Sequence, residues 1–142
     1  MTIARLIADR TREIMRCTPE DGVEQAARQL AENRIGALPV LDGLTVVGIF
    51  SERDLLYCIA RDGPDALRLR VAAVMTAPAI TVTPDTTALE ALSLMTRRRI
   101  RHLPVVEDGR LIEFVSIGDL VKYRIDLIEH EAEAMRDYIR TA

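Results

Sequence analysis

Two short stretches of this chain place a serine three residues ahead of an aspartate, each directly after an apolar run. They are "GIFSERDLL", with Ser51 and Asp54, and "EFVSIGDLV", with Ser116 and Asp119. Two chemistries suit that spacing. At the start of a helix, Ser-x-x-Asp is close to a capping box, in which hydroxyl and carboxylate satisfy N–H groups that the first turn leaves open. The same helix start offers a positive dipole end to a phosphate, and a carboxylate there could accept two hydrogen bonds from the vicinal hydroxyls of a ribose. The residues alone leave both readings open.

The other chemistry-bearing residues point to little else. His102 closes the basic run "RRRIRHLP"; it could contact a phosphate or lie on a solvated basic face. No serine or cysteine stands in a setting that would make it a nucleophile, so no catalytic residue is assigned and no enzyme is expected. Cys17 and Cys58 lie in no metal or redox spacing and read as reduced thiols, Cys17 in the core. "EHEAE" around His130 lacks the His-Glu-x-x-His pattern, so no metal ligand is assigned either. With a net charge of −3, 4% aromatic residues and a single Arg97–Arg99 cluster, nucleic acid is not an expected partner. No apolar run approaches the roughly 20 residues of a membrane span, and the N-terminus has no signal-peptide core; a cytoplasmic protein is expected.

Shifting the 142-residue sequence by 65 positions lays residues 18–56 on 83–121 without a gap, with 11 of 39 positions identical. The two candidate sites therefore belong to two copies of one unit. Each copy opens with Thr-Pro (Thr18–Pro19, Thr83–Pro84), an N-cap followed by a residue suited to the first helical position, which predicts a helix starting there. Apolar residues follow at helical spacing, Val23, Ala26, Ala27 and Leu30 matched by Ala88, Ala91, Leu92 and Met95. "ALPVL" and "HLPVV" predict strands, with Pro39 and Pro104 marking strand ends or edges. Asp42–Gly43 and Asp108–Gly109 predict tight turns. These turns lie 66 apart, so the second hairpin is expected to have moved its turn by one residue. "VVGIF" and "LIEFV" predict the second strands, and Ser-x-x-Asp opens a second helix.

Residues 57–82 connect the copies through the break "RDGPD". A helical turn and a strand are predicted in "VAAVMTAPAITV", with residues 3–17 as their counterpart before copy one. Neither half could bury its apolar faces alone. The expected fold is α+β: two pseudo-symmetric helix-strand-strand-helix repeats, residues 1–60 and, with the linker, 61–125, packed as one globular module. Residues 126–142 extend the last helix. Val121, Ile125, Ile128, Ala132, Met135 and Ile139 alternate by four and three, the seam of a coiled coil, with Glu129, Glu131, Glu133, Arg136 and Asp137 on the other faces. The helix could pack back on its own domain; a homodimer is the preferred expectation.

The chain resembles a tandem pair of CBS domains, the module named after cystathionine β-synthase, of the stand-alone bacterial type. The likeness is carried by "TPEDGVEQAARQLAENRIGALPVLDGLTVVGIFSERDLL" and "VTPDTTALEALSLMTRRRIRHLPVVEDGRLIEFVSIGDLV". It implies a non-catalytic regulatory module that takes an adenosine nucleotide, such as AMP, ADP, ATP or NAD(H), in the clefts between repeats. It implies that Asp54 and Asp119 hold ribose hydroxyls, with Ser51 and Ser116 toward sugar and phosphate. Ile35, Gly36 and Ala37, and likewise Ile100, Arg101 and His102, are implied to contact base or phosphate. Arg53 occupies the place of Gly118 and is expected to pair with phosphate or fold over the mouth.

On this reading the Asp54 pocket faces the bulkier Arg101 and His102 of the other copy, and the Asp119 pocket, with Ser116, Gly118, Arg101, His102 and a small Gly36–Ala37 wall, is expected to bind more tightly. Binding should strengthen as falling pH protonates His102, near 6.5. Glu113 stands where copy one has Gly48, and a carboxylate opposes a nearby phosphate unless it points to solvent. The alternative is a purely structural dimerisation or partner-docking module in which Ser-x-x-Asp only caps helices. A regulated protein partner is left open.

Overall fold

The computed structural model describes residues 2–11 and 13–142. Along it run α1 (Ile3–Ile7), α2 (Val23–Asn33), β1 (Ala37–Asp42), β2 (Thr45–Ser51), α3 (Glu52–Asp62) and a 3₁₀ segment (Gly63–Arg68). Then come α4 (Val71–Val74), α5 (Ala88–Arg98), β3 (His102–Glu107), β4 (Arg110–Ser116) and α6 (Ile117–Thr141). Each repeat is a helix, a two-stranded antiparallel hairpin and a second helix. The registers correspond: Ala37 faces Ser51 as His102 faces Ser116, and each hairpin has one irregularity, at Val40/Leu41 and at Val105/Val106.

The first helix of each repeat begins later than the Thr-Pro pairs predict. α2 and α5 start at Val23 and Ala88. Thr18 and Thr83 instead open turns closed by local side chains: the Thr18 N–H donates to Asp21 Oδ2 at 2.9 Å, and the Thr83 N–H to Thr86 Oγ1 at 3.2 Å. These turns have a tertiary task. The Asp21 and Pro19 carbonyls accept the first N–H groups of α4, from Val71 and Ala72, and the Thr86 and Pro84 carbonyls accept those of α1, from Ile3 and Ala4. A helix starting at Thr18 or Thr83 would have drawn those carbonyls into its own ladder.

The docking of α1 and α4 exchanges elements between the halves. Val71 of α4 and Ala66 of the 3₁₀ segment belong to the core of Cys17, Val23, Ala26, Leu30, Leu38, Val40, Phe50 and Cys58. Ile3 of α1 is fully buried in the second core, with Val82, Ala88, Ala91, Met95, Leu103, Val105, Val115 and Leu120. Each core is completed by a short helix from the other half, and the chain then crosses back to pair at Cys17 with Val40 or at Val82 with Val105. Cys17 is a core residue as expected, and burial, helped by Asp21, pushes its thiol up to about 12.

Pro39 and Pro104 lie on edge strands of two-stranded sheets, as expected, although both strands are buried. Their carbonyls face Cys17 and Val82; because N–H and C=O of one strand residue point the same way, the missing N–H costs the hairpin no rung. A further sequence expectation needs correcting: the second turn has not moved. The turn residues are 43–44 and 108–109, in equivalent places. Gly43 alone has positive φ (63°) in the first, the pattern of a type II′ turn, whereas Asp108 (51°) and Gly109 (76°) both have it in the second, the pattern of type I′. The Asp-Gly pair slid within a fixed turn.

α6 leaves the domain as it proceeds. Leu120 is buried and Ile117 and Tyr123 pack on the second core, but from Ile128 onward every residue except Ala132 is exposed. Among the described residues no helix is long and apolar enough to cross a membrane.

Candidate functional site

Both Ser-x-x-Asp motifs form complete capping boxes. Ser51 Oγ accepts from the Asp54 N–H at 3.3 Å while Asp54 Oδ2 accepts from the Ser51 N–H at 2.8 Å and from Ser51 Oγ at 2.9 Å. At the second start, Ser116 Oγ accepts from the Asp119 N–H at 3.1 Å and Asp119 Oδ2 from the Ser116 N–H at 2.8 Å. Capping and ligand binding are therefore not exclusive. Each box uses one carboxylate oxygen, Oδ2, and leaves Oδ1 to a residue of the chain crossing above it. For Asp54 that residue is Thr76, whose hydroxyl donates to Oδ1 at 2.8 Å. For Asp119 it is Arg10, with Nη2 3.2 Å from Oδ1.

The strand-leading segments are tied to the same helix starts. The Glu52 N–H donates to the Gly36 carbonyl and the Ile117 N–H to the Arg101 carbonyl. Two inter-repeat cavities result. The one beside Asp54 measures about 440 Å³ and is lined by Gly36, Ala37, Ser51, Arg53 and Asp54 from the first repeat and Ile100, Arg101 and His102 from the second. Ile49, Glu52, Leu56, Tyr57, Thr76 and Arg99 complete it. The one beside Asp119 measures about 190 Å³, with Ile35, Ala37, His102, Ser116 and Asp119 joined by Glu13, Ile14, Met15, Glu113 and Phe114. Ala37 and His102, equivalent in the repeat, line both cavities and form the partition between them.

The structure thus divides the sequence-assigned residues unequally. Arg101 and Gly36, expected with Asp119, line only the Asp54 cavity, and Gly118 is exposed and lines neither. Gly36 is held against the partition: a Cβ there would sit 3.3 Å from His102 Cε1. Arg53 folds over the mouth, its Nη1 donating to the Arg99 carbonyl at 3.1 Å, where α5 ends in a left-handed residue.

Charge separates the cavities further. Arg53, Arg99 and Arg101 outnumber Glu52 and Asp54 around the larger one. The smaller one gathers Glu13, Glu113 and Asp119. Glu113 does not point to solvent: it is 5% exposed, its Oε1 accepts from the Phe114 N–H at 2.9 Å, and Arg10 Nη1 lies 3.8 Å away. Burial pushes the Asp119 carboxyl up, but the Ser116 N–H and the Arg10 guanidinium outweigh it, and the net shift is below the ordinary 3.8. His102 stacks on Phe114, with ring centroids 5.4 Å apart. Its burial outweighs the pull of Asp119 and Glu52 and holds it below the ordinary 6.5. The imidazole therefore takes up a proton less readily than a free histidine, which runs against the expected strengthening of binding at low pH.

Arg10 and Thr76 escaped the sequence reading because they reach the aspartates only through the exchange of α1 and α4. The one available signal was Glu113 itself: an acid at a buried strand position requires a cation. In the first repeat the same position is Gly48, over which Thr76 closes with paired bonds to Ile49; a Cβ there would meet Met75 Sδ at 2.7 Å and the Thr76 carbonyl oxygen at 2.9 Å.

The family model for the CBS domain matches residues 7–61 and again 71–126. The chain is 37% identical over 129 residues to the mitochondrial CBS domain-containing protein CBSX3 of Arabidopsis thaliana, over 87% of this chain and 63% of that protein. It thus spans less than two thirds of the length of that relative. Its fold superposes on the crystal structure of a CBS-domain containing protein from Agrobacterium tumefaciens with a TM-score of 0.82 at 35% identity, covering 87% of this chain and 99% of that one. It also superposes on CBSX2 solved in complex with AMP, with a TM-score of 0.75 at 27% identity, covering 89% and 97%.

Proposed function

The chain belongs to the CBS-domain family, and from that premise we propose that it is a non-catalytic regulatory module that binds an adenosine ligand in the cavity beside Asp54. The observation that carries this reading is the cavity itself. Its roughly 440 Å³ lies within the span of small-molecule sites, roughly 300–1,000 Å³, whereas the 190 Å³ beside Asp119 does not. Asp54 keeps lone pairs on Oδ1 for a ribose hydroxyl. Ile49, Leu56, Tyr57 and Ile100 offer an apolar and aromatic wall to the base, and Arg99 and Arg101 offer guanidinium groups to phosphate. The AMP bound by CBSX2 supports the ligand class.

Calorimetry with AMP, ATP and NAD(H) tests the reading. Saturable heat that disappears in Asp54→Ala supports it. Absence of both heat and thermal shift with all three ligands would leave a structural or docking module.

We further infer self-association through α6. Val121, Ile125, Ile128, Met135 and Ile139 stand exposed along it at coiled-coil spacing. Changing Ile128 and Met135 to Glu should halve the mass seen by light scattering with an unchanged circular dichroism spectrum. An unchanged mass would move the contact elsewhere.

A further inference from the structure

We propose that the cavity beside Asp119 is a nucleoside site that the chain fills itself, with Arg10 standing where a ligand would, so that the module takes one adenosine ligand per chain. The proposal rests on the adenosine reading of the equivalent Asp54 cavity.

The cap engages Oδ2 of each aspartate, which leaves Oδ1 as the freer acceptor for a ribose. Among the described residues the partner of that oxygen at Asp54 is the short Thr76 hydroxyl, and Asp54 lines the larger cavity. At Asp119 that oxygen meets a guanidinium at 3.2 Å, carried by a side chain only 18% exposed. The difference has a covalent origin. Ile3 and Val71 dock equivalently, as do Cys17 and Val82. The stretch from Ile3 to Cys17 is therefore longer than that from Val71 to Val82, and the extra length brings Arg10, Glu13, Ile14 and Met15 to the helix start. Glu113 supplies the opposite charge that draws Arg10 inward.

The fit is incomplete. Arg10 Nη1 is fully buried with no hydrogen-bond partner among the described residues, and at 3.8 Å it attracts Glu113 by charge without a hydrogen bond. A guanidinium with an unused buried donor is a serviceable occupant rather than an optimal one. Remove it, and a ribose can reach Asp119. Glu113 and Glu13 would still oppose a phosphate.

The test is stoichiometry by calorimetry, with adenosine and AMP as probes. The wild-type chain should bind one equivalent of each. Arg10→Ala should gain one equivalent of adenosine but none of AMP, and Arg10→Ala with Glu113→Gly should gain AMP as well. Two equivalents in the wild type, or no gain in a folded Arg10→Ala, would overturn the proposal. If the wild type binds neither probe, the reading of the Asp54 cavity falls; a gain of one adenosine by Arg10→Ala would still support the self-filled site. Should Arg10→Ala not fold, crystals of the wild type in excess adenosine decide: density beside Asp54 alone supports the proposal, and density beside Asp119 with Arg10 displaced overturns it.

Discussion

Beside Asp54 the chain crosses the helix start as a flat thread. Thr76 exchanges two backbone bonds with Ile49, and Gly48 beneath leaves no side chain in the way. Beside Asp119 the crossing is longer and carries Arg10, and Glu113 fills the place of that glycine. The helix starts themselves are nearly alike, with the same capping box at 2.8 Å from serine N–H to aspartate. Duplicated sites in this fold therefore diverge through the segments laid over them. The helix start fixes where the carboxylate stands; the crossover decides what it meets.

The most severe way to break this comparison is to give the first repeat the residue of the second. Gly48→Glu would drive a side chain into Met75 and the Thr76 carbonyl and bury a carboxylate where Thr76 stands in the place of Arg10. A loss of about 3 kcal/mol or more in urea unfolding is expected, together with loss of AMP binding. Stability within about 0.5 kcal/mol of wild type would mean that the crossover is far more pliant than its paired bonds suggest.

Truncating the two aspartates should give opposite signatures. Asp54→Ala should weaken AMP binding roughly 10- to 100-fold, the worth of a charge-assisted hydrogen bond, at a stability cost of about 1 kcal/mol for the lost cap. Asp119→Ala also loses a cap and leaves a mostly buried guanidinium without its nearest carboxylate, so its stability cost should be the larger, about 2 kcal/mol. Equal stability losses with equal binding losses would restore the symmetry.

The smallest effect lies in the partition. Because burial lowers the His102 pKa below its unfolded 6.5, the unfolded chain takes up this proton first as pH falls. Stability from the neutral imidazole is complete above 6.5 and is lost as pH falls through the lower folded value. His102→Phe, which keeps a ring against Phe114, should remove that part of the pH slope while the acid limb below it persists. An unchanged slope near and below pH 6.5 would assign it to other groups.

Much of the architecture was legible because it is local. Helical spacing identified Val23, Ala26 and Leu30 and their counterparts Ala88, Ala91 and Met95 as the buried faces of α2 and α5, and Ser-x-x-Asp announced both caps. The errors arose where distant chain intervenes. Thr18 and Thr83 have the chemistry of helix caps, but their turns are needed to receive α4 and α1. Arg101 could be set beside either aspartate from the sequence and lines the Asp54 cavity alone, because nothing in the repeat says which helix start faces which strand lead. Arg10 looked like one basic residue among many until the exchange placed it on Asp119.

That exchange also bears on the order in which the molecule can form as it leaves the ribosome. The first core is complete once Val71 has been made, because all its buried members lie between Cys17 and Val71. The second needs Leu120, and it also needs Ile3. Synthesis runs from the N-terminus at about 5–20 residues per second. For several seconds, then, α1 exists without its seat, while the repeat translated just behind it is already able to close. Of the helices described, the one made earliest must wait longest for its partners.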